Sequence, residues 1–158
     1  MNSTLIFGYG NPSRGDDALG PLLLERLQAD GLTDIEFLTD FQLQVEHSLD
    51  LEGRDLVLFI DAHVSCSSPF AFTTLLPEGD RSYTTHAMSP AAVLQVYQQI
   101  NRCPPPPSFL LSLRGERFEL GEGLSPAAQA NLEAALQFAR ELCARPVLSH
   151  WQSLCSTL

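Results

Sequence analysis

Short apolar runs alternate with stretches of helical periodicity along most of the chain. The runs predict five β-strands, at 4–7, 35–38, 56–60, 71–75 and 108–113. Apolar residues also recur every three or four positions, which predicts helices at 17–29, 41–51, 90–100 and 125–142. The run 56–60 is continuously apolar, as expected for a strand that is buried on both faces of a parallel sheet.

This alternation predicts an α/β fold: a three-layer sandwich with a mostly parallel, twisted sheet of about five strands and helices on both faces. Serine followed by proline marks two helix starts, Ser89-Pro90 and Ser125-Pro126, because serine caps a helix and proline fits its first turn. We expect residues 1–145 to form this single domain. Residues 146–158 show no clear pattern and are expected to be a loosely ordered tail.

A glycine-bearing polar stretch, GYGNPSRGDD at 8–17, separates the first predicted strand from the first helix. Asp16 and Asp17 fall at the helix start, where capping and the helix dipole favour carboxylates. They serve either as caps or as site carboxylates at the end of a parallel strand. A dinucleotide-binding turn has a third glycine where Ser13 stands, and acidic residues at the helix start would repel a pyrophosphate, so a nucleotide-binding domain is disfavoured.

Carboxylates follow three predicted strands, and a histidine lies in a later polar loop: Asp16, Asp17, Asp40, Asp61 and His86. Because the carboxyl ends of parallel strands share one edge of a sheet, these groups can converge on one crevice. Two carboxylates and an imidazole can bind a divalent transition metal, and they can also transfer protons in hydrolysis. Each has a plain structural alternative as a helix cap, a turn aspartate or a surface histidine.

The charge balance narrows the classes of partner. The 158 residues carry a net charge of −10, and all nine basic residues are arginine, which argues against binding to nucleic acid or to an anionic membrane surface. No apolar run reaches the length of a membrane span, and no basic segment precedes the first apolar run as in a signal peptide. The four cysteines are scattered, so we expect a reducing cytoplasm. From the acidity of the domain we expect a monomer.

The glycine-bearing stretch resembles the Gly-x-Gly-Asn-x-x-x-x-Asp-(Asp/Glu)-x-x-Gly signature of the nickel–iron hydrogenase maturation endopeptidases. The matching residues are Gly8, Gly10, Asn11, Asp16, Asp17 and Gly20. The resemblance continues at Asp61 and His86, and it covers roughly 4–142 of the chain.

The resemblance implies an endopeptidase that removes a short C-terminal peptide from the large-subunit precursor of a nickel–iron hydrogenase after nickel insertion. It implies that Asp17, Asp61 and His86 bind the nickel and carry the catalysis. No resident cofactor is expected, since the nickel belongs to the precursor. Many family members have glutamate at the position of Asp17, which keeps the charge with a longer reach. Further candidates for the substrate cleft are Asp16, Asp40, Glu46 and His47.

The segment 41–47, FQLQVEH, stands where many family members are small and glycine-rich. It looks like the branch that processes bidirectional, NAD-linked hydrogenases. Glu46 and His47 are therefore expected to help select the precursor, with His47 on the exposed side of the helix predicted at 41–51.

The sequence is compatible with two mechanisms of peptide-bond hydrolysis. The metal can polarise the scissile carbonyl or activate water, or a carboxylate can be the general base while the metal only positions the chain. The main functional alternative is a non-catalytic module that binds the nickel-loaded precursor with the same residues and acts as a checkpoint.

Overall fold

The computed structural model describes residues 3–79 and 88–155. Within these residues, one sheet contains five strands in the order β2-β1-β3-β5-β4. Their bounds are β1 Thr4–Tyr9, β2 Ile35–Asp40, β3 Leu56–His63, β4 Phe70–Leu75 and β5 Ser108–Arg114. All pairs are parallel except the edge pair of β4 with β5, which confirms the predicted, mostly parallel sheet.

Helices cover both faces of this sheet. The described residues form α1 Leu19–Gln28, α2 Pro90–Asn101, α3 Pro126–Ala144, α4 Leu148–Leu154 and two 3₁₀ helices, Gly15–Ala18 and Val45–Leu51. One core lies between the sheet and α1, α3 and α4, and the other lies between the sheet and α2 with the second 3₁₀ helix. The predicted three-layer α/β fold is therefore confirmed.

Strand β3 shows how side chains are divided between the two cores. Leu58 and Ile60 belong to the core under α1 and α3, whereas Val57 and Phe59 belong to the core under α2. Since side chains alternate along a strand, Asp61 follows Phe59 onto the face of α2. The strand also runs to His63, beyond its predicted end, so that Asp61 lies inside it.

The two serine–proline helix starts are as predicted. The Ser89 hydroxyl accepts a hydrogen bond from the Ala92 amide, and the Ser125 hydroxyl accepts one from the Ala128 amide, both at 3.1 Å. Each cap satisfies an amide that the first turn of a helix leaves without an intrahelical partner.

The helix predicted at 41–51 is a 3₁₀ helix, and it begins only at Val45. Local side-chain bonds compete with the α-helical pattern here. The Ser48 hydroxyl donates to the Val45 carbonyl at 2.8 Å, and the His47 ring accepts from the Gln44 amide at 2.8 Å. The prediction of a regular helix over the whole segment is therefore wrong.

The prediction of a loosely ordered tail is also wrong for Leu148–Leu154, which form α4. Trp151 of this helix is fully buried, and its indole donates to the Leu142 carbonyl at 3.0 Å. Its ring packs edge-on against Phe109, with centroids 5.4 Å apart. A single large aromatic anchors the segment, which is why no periodicity reveals it. In the part of the chain described, no helix is long and apolar enough to span a bilayer.

We predict that Trp151→Ala lowers the free energy of unfolding by about 3–5 kcal/mol, because it empties a fully buried aromatic site and leaves the Leu142 carbonyl unpaired. Urea unfolding followed by circular dichroism measures the change. Gln152→Ala, at an exposed neighbour on the same helix, should shift stability by less than about 0.5 kcal/mol. Equal stability of the Trp151 variant and the native protein would contradict the assignment of α4 to the core.

Candidate active site

The strand order reverses beside β1. The chain passes from β1 to β2 on one side and then to β3 on the other, so the carboxyl ends of β1 and β3 flank a topological switch point. In open α/β sheets the crevice at such a point is the usual ligand site. Gly8 pairs with Ile60 in register, which makes Tyr9 and Asp61 the next neighbours across the two strands.

Two glycines allow the start of α1 to approach this edge. Gly10 has a φ of 148°, and a Cβ there would lie 2.0 Å from the Asp17 carbonyl oxygen. A Cβ on Gly20 would lie 2.5 Å from the Tyr9 carbonyl oxygen and 2.9 Å from that of Ile60. Since no side chain fits between helix start and strands, Asp17 lies directly at the switch point.

Asp17 lines a cleft of about 600 Å³ at this edge. Its carboxylate accepts a hydrogen bond of 2.6 Å from the Asn11 amide, which fixes the side chain against the glycine turn. The other residues lining the cleft are Tyr9, Gly10, Asn11, Arg14, Asp40, Phe41, Gln42 and Gln44. The predicted site residues Asp17 and Asp40 thus share one cavity.

Asp61 has an unusual environment for a carboxylate. Its Oδ2 accepts a hydrogen bond of 3.1 Å from the Tyr9 hydroxyl, while the buried Oδ1 has no partner among the residues described. Burial raises the pKa of Asp61 to about 6; the nearby Ser112 and Tyr9 hydroxyl groups oppose the rise, and the Asp17 charge adds to it. Buried polar atoms without a partner are rare in folded proteins, which distinguishes Asp61 from the other carboxylates of this edge.

Asp16 does not line the cleft, so its prediction as a cleft residue is wrong. The side chain is fully buried and accepts four hydrogen bonds, from the amides of Glu116, Arg117 and Ser125 and from the Ser125 hydroxyl, at 2.7–3.0 Å. Burial by itself would raise the pKa of Asp16, but these hydrogen bonds lower it below its usual value. The two adjacent aspartates therefore differ: Asp16 holds a loop, and Asp17 lines the cleft.

His47 is not on an exposed helix side, so that prediction is wrong as well. Its side chain is 11% exposed, and the ring packs edge-on against Phe7 with centroids 4.7 Å apart. Its Nδ1 accepts from the Gln44 amide, which leaves the proton of the neutral ring on Nε2. That nitrogen lies 3.2 Å from Asp40 Oδ2, so His47 orients the Asp40 carboxylate. Glu46 is exposed and is not among the residues lining the cleft.

The predicted third ligand, His86, lies outside the described residues, and its role stays a prediction. Across 3–79 and 88–155, no three histidine, cysteine, aspartate or glutamate side chains are grouped closely enough to hold a metal ion. Asp17 and Asp61 therefore supply carboxylate oxygens to this edge without closing a ligand set by themselves.

Sequence reasoning missed Tyr9 and Ser112. Both contribute hydroxyl groups near Asp61, and Ser112 is its register partner on β5. The sequence does point to Tyr9, because it lies between two glycines at the end of the first predicted strand. That position is at the same sheet edge as Asp61, which follows the predicted strand 56–60. For Ser112 the pairing of β3 with β5 is needed, and the sequence does not specify it.

No protein-family model matches the sequence, and a search of curated proteins finds no match. Solved structures are similar over nearly the whole chain. The [NiFe] hydrogenase maturation protease HycI from Thermococcus kodakarensis has a TM-score of 0.71 and 22% identity, over 91% of this chain and 94% of that one. The hydrogenase maturating endopeptidase HybD from E. coli has a TM-score of 0.67 and 25% identity, over 89% and 91%.

A hydrogenase 2 maturation peptidase from a Thaumarchaeota archaeon gives a TM-score of 0.65 at 22% identity, over 90% of this chain and 99% of that one. The structures at 22% identity show a common fold. The chain therefore has the five-stranded α/β fold found in hydrogenase maturation proteases.

We predict that Asp16→Asn lowers the free energy of unfolding at pH 7 by about 2–4 kcal/mol, because it removes a charged acceptor of several buried hydrogen bonds. The lowered pKa of Asp16 means that its ionised form stabilises the fold above about pH 4, and that this stabilisation is lost as the pH falls through the folded-state pKa. Urea unfolding at pH 7 and pH 3 should therefore show a difference from the native protein that shrinks in acid. Glu116→Gln, an exposed neighbour, is the control; a loss that is the same at both pH values would contradict the prediction.

We predict that Asp61→Asn raises the free energy of unfolding at pH 7, whereas Asp16→Asn lowers it. A rise of the pKa from 3.8 to about 6 means that the ionised carboxylate costs the fold up to about 3 kcal/mol above pH 6, a cost that disappears as the pH falls toward 4. The variant should therefore unfold at a higher urea concentration than the native protein at pH 7, with the gap closing by pH 4. Asp34→Asn, at an exposed position, should leave stability unchanged. A variant less stable than the native protein at pH 7 would refute this account of Asp61.

Proposed function

We propose that this chain is an endopeptidase that removes a short C-terminal peptide from the nickel-loaded large-subunit precursor of a nickel–iron hydrogenase. The observation that carries the proposal is the combination, at the switch point, of Asp17, which lines the cleft, with Asp61 on the neighbouring strand, which does not line it but whose buried Oδ1 has no partner among the described residues. The likeness in fold to hydrogenase maturation endopeptidases supports the same reaction class.

The nickel ion is part of the substrate in this proposal. Asp17 and Asp61 offer carboxylate oxygens and His86 an imidazole, a ligand set without thiolates that suits transient capture of an ion delivered by another protein. Asp61, with a pKa of about 6, is mostly ionised at neutral pH and so is available as a ligand. A precursor without nickel lacks the cation that these carboxylates attract.

Two routes to hydrolysis follow from this arrangement. In one, the precursor's nickel polarises the scissile carbonyl or lowers the pKa of a water molecule. In the other, Asp61 is the general base, a task for which a pKa near neutrality is suited, and the nickel only positions the chain. The routes differ in metal dependence: replacing nickel by another divalent ion of similar size changes the rate strongly in the first and weakly in the second.

The finer substrate assignment rests on segment 41–47. Phe41, Gln42 and Gln44 line the cleft, and His47 holds the Asp40 carboxylate at its rim. In place of a small, glycine-rich segment, these larger side chains fit the branch that serves bidirectional, NAD-linked hydrogenases. Within the same proposal, the protein is a cytoplasmic monomer, and the cleft accepts an extended peptide end.

The decisive experiment incubates the protein with a hydrogenase large-subunit precursor, with and without inserted nickel, and detects the product by mass spectrometry. We expect loss of a C-terminal peptide from the nickel-loaded form alone. Asp17→Asn and His86→Ala should each slow this cleavage by about 100-fold or more, since they remove groups proposed to act at the reacting centre. Asp34→Asn, an exposed carboxylate away from the cleft, is the matched control.

Binding of the nickel-loaded precursor without cleavage would replace the proposal with a non-catalytic checkpoint module. Failure to bind any nickel-loaded precursor would refute both, and the similarity would then be one of fold alone.

A further inference from the structure

Tyr9 lies at the switch point between β1 and β3. It is the last residue of β1, and its ring packs edge-on against Phe7, with centroids 6.3 Å apart. The same ring lines the cleft beside Asp17. Tyr9 is thus held by its own strand and by a neighbouring aromatic ring, while its hydroxyl extends toward β3.

The hydroxyl makes the two oxygens of Asp61 unequal. Oδ2 accepts the Tyr9 hydrogen bond of 3.1 Å, and Oδ1 is buried without a partner among the described residues. The terminal torsion of an aspartate has a broad energy well, so an unanchored carboxylate would sample many orientations. A donor on one oxygen removes that freedom, while the other oxygen has no competing donor among the described residues.

The Tyr9 hydroxyl donates its hydrogen bond to Asp61. Burial raises the pKa of Tyr9 well above its usual value, and the charge and hydrogen bond of Asp61, together with the Asp17 charge, raise it further. A tyrosine hydroxyl, with an ordinary pKa of about 10, is protonated at neutral pH, and the contact that it makes is the hydrogen bond to Asp61. Its contribution to the site is a hydrogen bond.

We infer that Tyr9 is a positioning residue for Asp61: its hydroxyl holds Oδ2, so that Oδ1 is the oxygen that binds the substrate's metal ion. This inference rests on the proposed function, since it takes Asp61 as a ligand. Carboxylates that bind metals are commonly oriented by a hydrogen bond to their second oxygen, and loss of such a partner weakens metal binding by about 10- to 100-fold. A tyrosine needed only for packing would tolerate loss of its hydroxyl.

The test compares Ni²⁺ binding by the native protein, Tyr9→Phe and Tyr97→Phe, using isothermal titration calorimetry with the metal ion alone. Tyr97 lies on α2 in the core below and does not line the cleft, so its loss of a hydroxyl is the matched control. We expect Tyr9→Phe to bind Ni²⁺ about 10- to 100-fold more weakly and Tyr97→Phe to bind like the native protein. Urea unfolding verifies that each variant is folded.

A second readout separates positioning from a general loss of structure. If Tyr9 acts through Asp61, adding Tyr9→Phe to Asp61→Asn should weaken Ni²⁺ binding no further than Asp61→Asn alone. The visible absorption of bound Co²⁺, which reports coordination geometry, should change in Tyr9→Phe and not in Tyr97→Phe.

The outcomes separate a failure of the positioning role of Tyr9 from a failure of the proposed function. Native Ni²⁺ binding that is unchanged in Tyr9→Phe would overturn this inference and leave the proposed function intact. A further loss in the double variant would also overturn it, because Tyr9 would then act independently of Asp61. A native protein that neither binds Ni²⁺ nor cleaves the nickel-loaded precursor would overturn the proposed function and this inference with it.

Discussion

The hydrogen bonds to the Asp16 carboxylate hold the candidate site together. They join the start of the first helix to the loop at 115–125, which lies far away in sequence. Backbone bonds reinforce the junction: the Asp16 and Gly15 amides donate to Arg117 and Glu122 carbonyls, and the Gly121 amide donates to Ser13. Because Asp16 is fixed from within, the next residue, Asp17, has its position at the cleft determined by the same contacts.

An anchor of this kind offsets the unfavourable features of the site itself. Asp61 is a mostly buried carboxylate with one unpaired oxygen and another carboxylate nearby. Burial and the neighbouring charge both disfavour its ionised form. Such a site persists because the surrounding cores and the Asp16 junction are well satisfied. Repulsion between Asp17 and Asp61 is relieved when a cation lies between them, and a net charge of −10 attracts cations from solution.

Alternation of strands and helices was enough to predict the fold, because a continuous apolar run such as 56–60 is typical of a strand that is buried on both faces of a parallel sheet. The same reasoning placed Asp17 and Asp40 at one edge, since the carboxyl ends of parallel strands share it. The interior role of Asp16 was beyond reach, because its partners lie about 100 residues away. The orientation of His47, which contacts Phe7 and Asp40, likewise depends on tertiary contacts that leave no periodic pattern in the sequence. The same holds for the anchoring of α4 by Trp151, which contacts Leu142 and Phe109.

The close approach at Gly20 has a consequence for selectivity between ions. The backbone of α1 touches the carbonyl oxygens of Tyr9 and Ile60 with no side chain between them. Packed side chains can adjust by changing rotamer, but backbone in direct contact cannot. The separation between the backbones of Asp17 and Asp61 is therefore set by the direct contact of helix and strands. Under the proposed function, a spacing fixed in this way favours the precursor's nickel ion over larger or smaller cations, because an ion of another radius would bind these carboxylates less tightly.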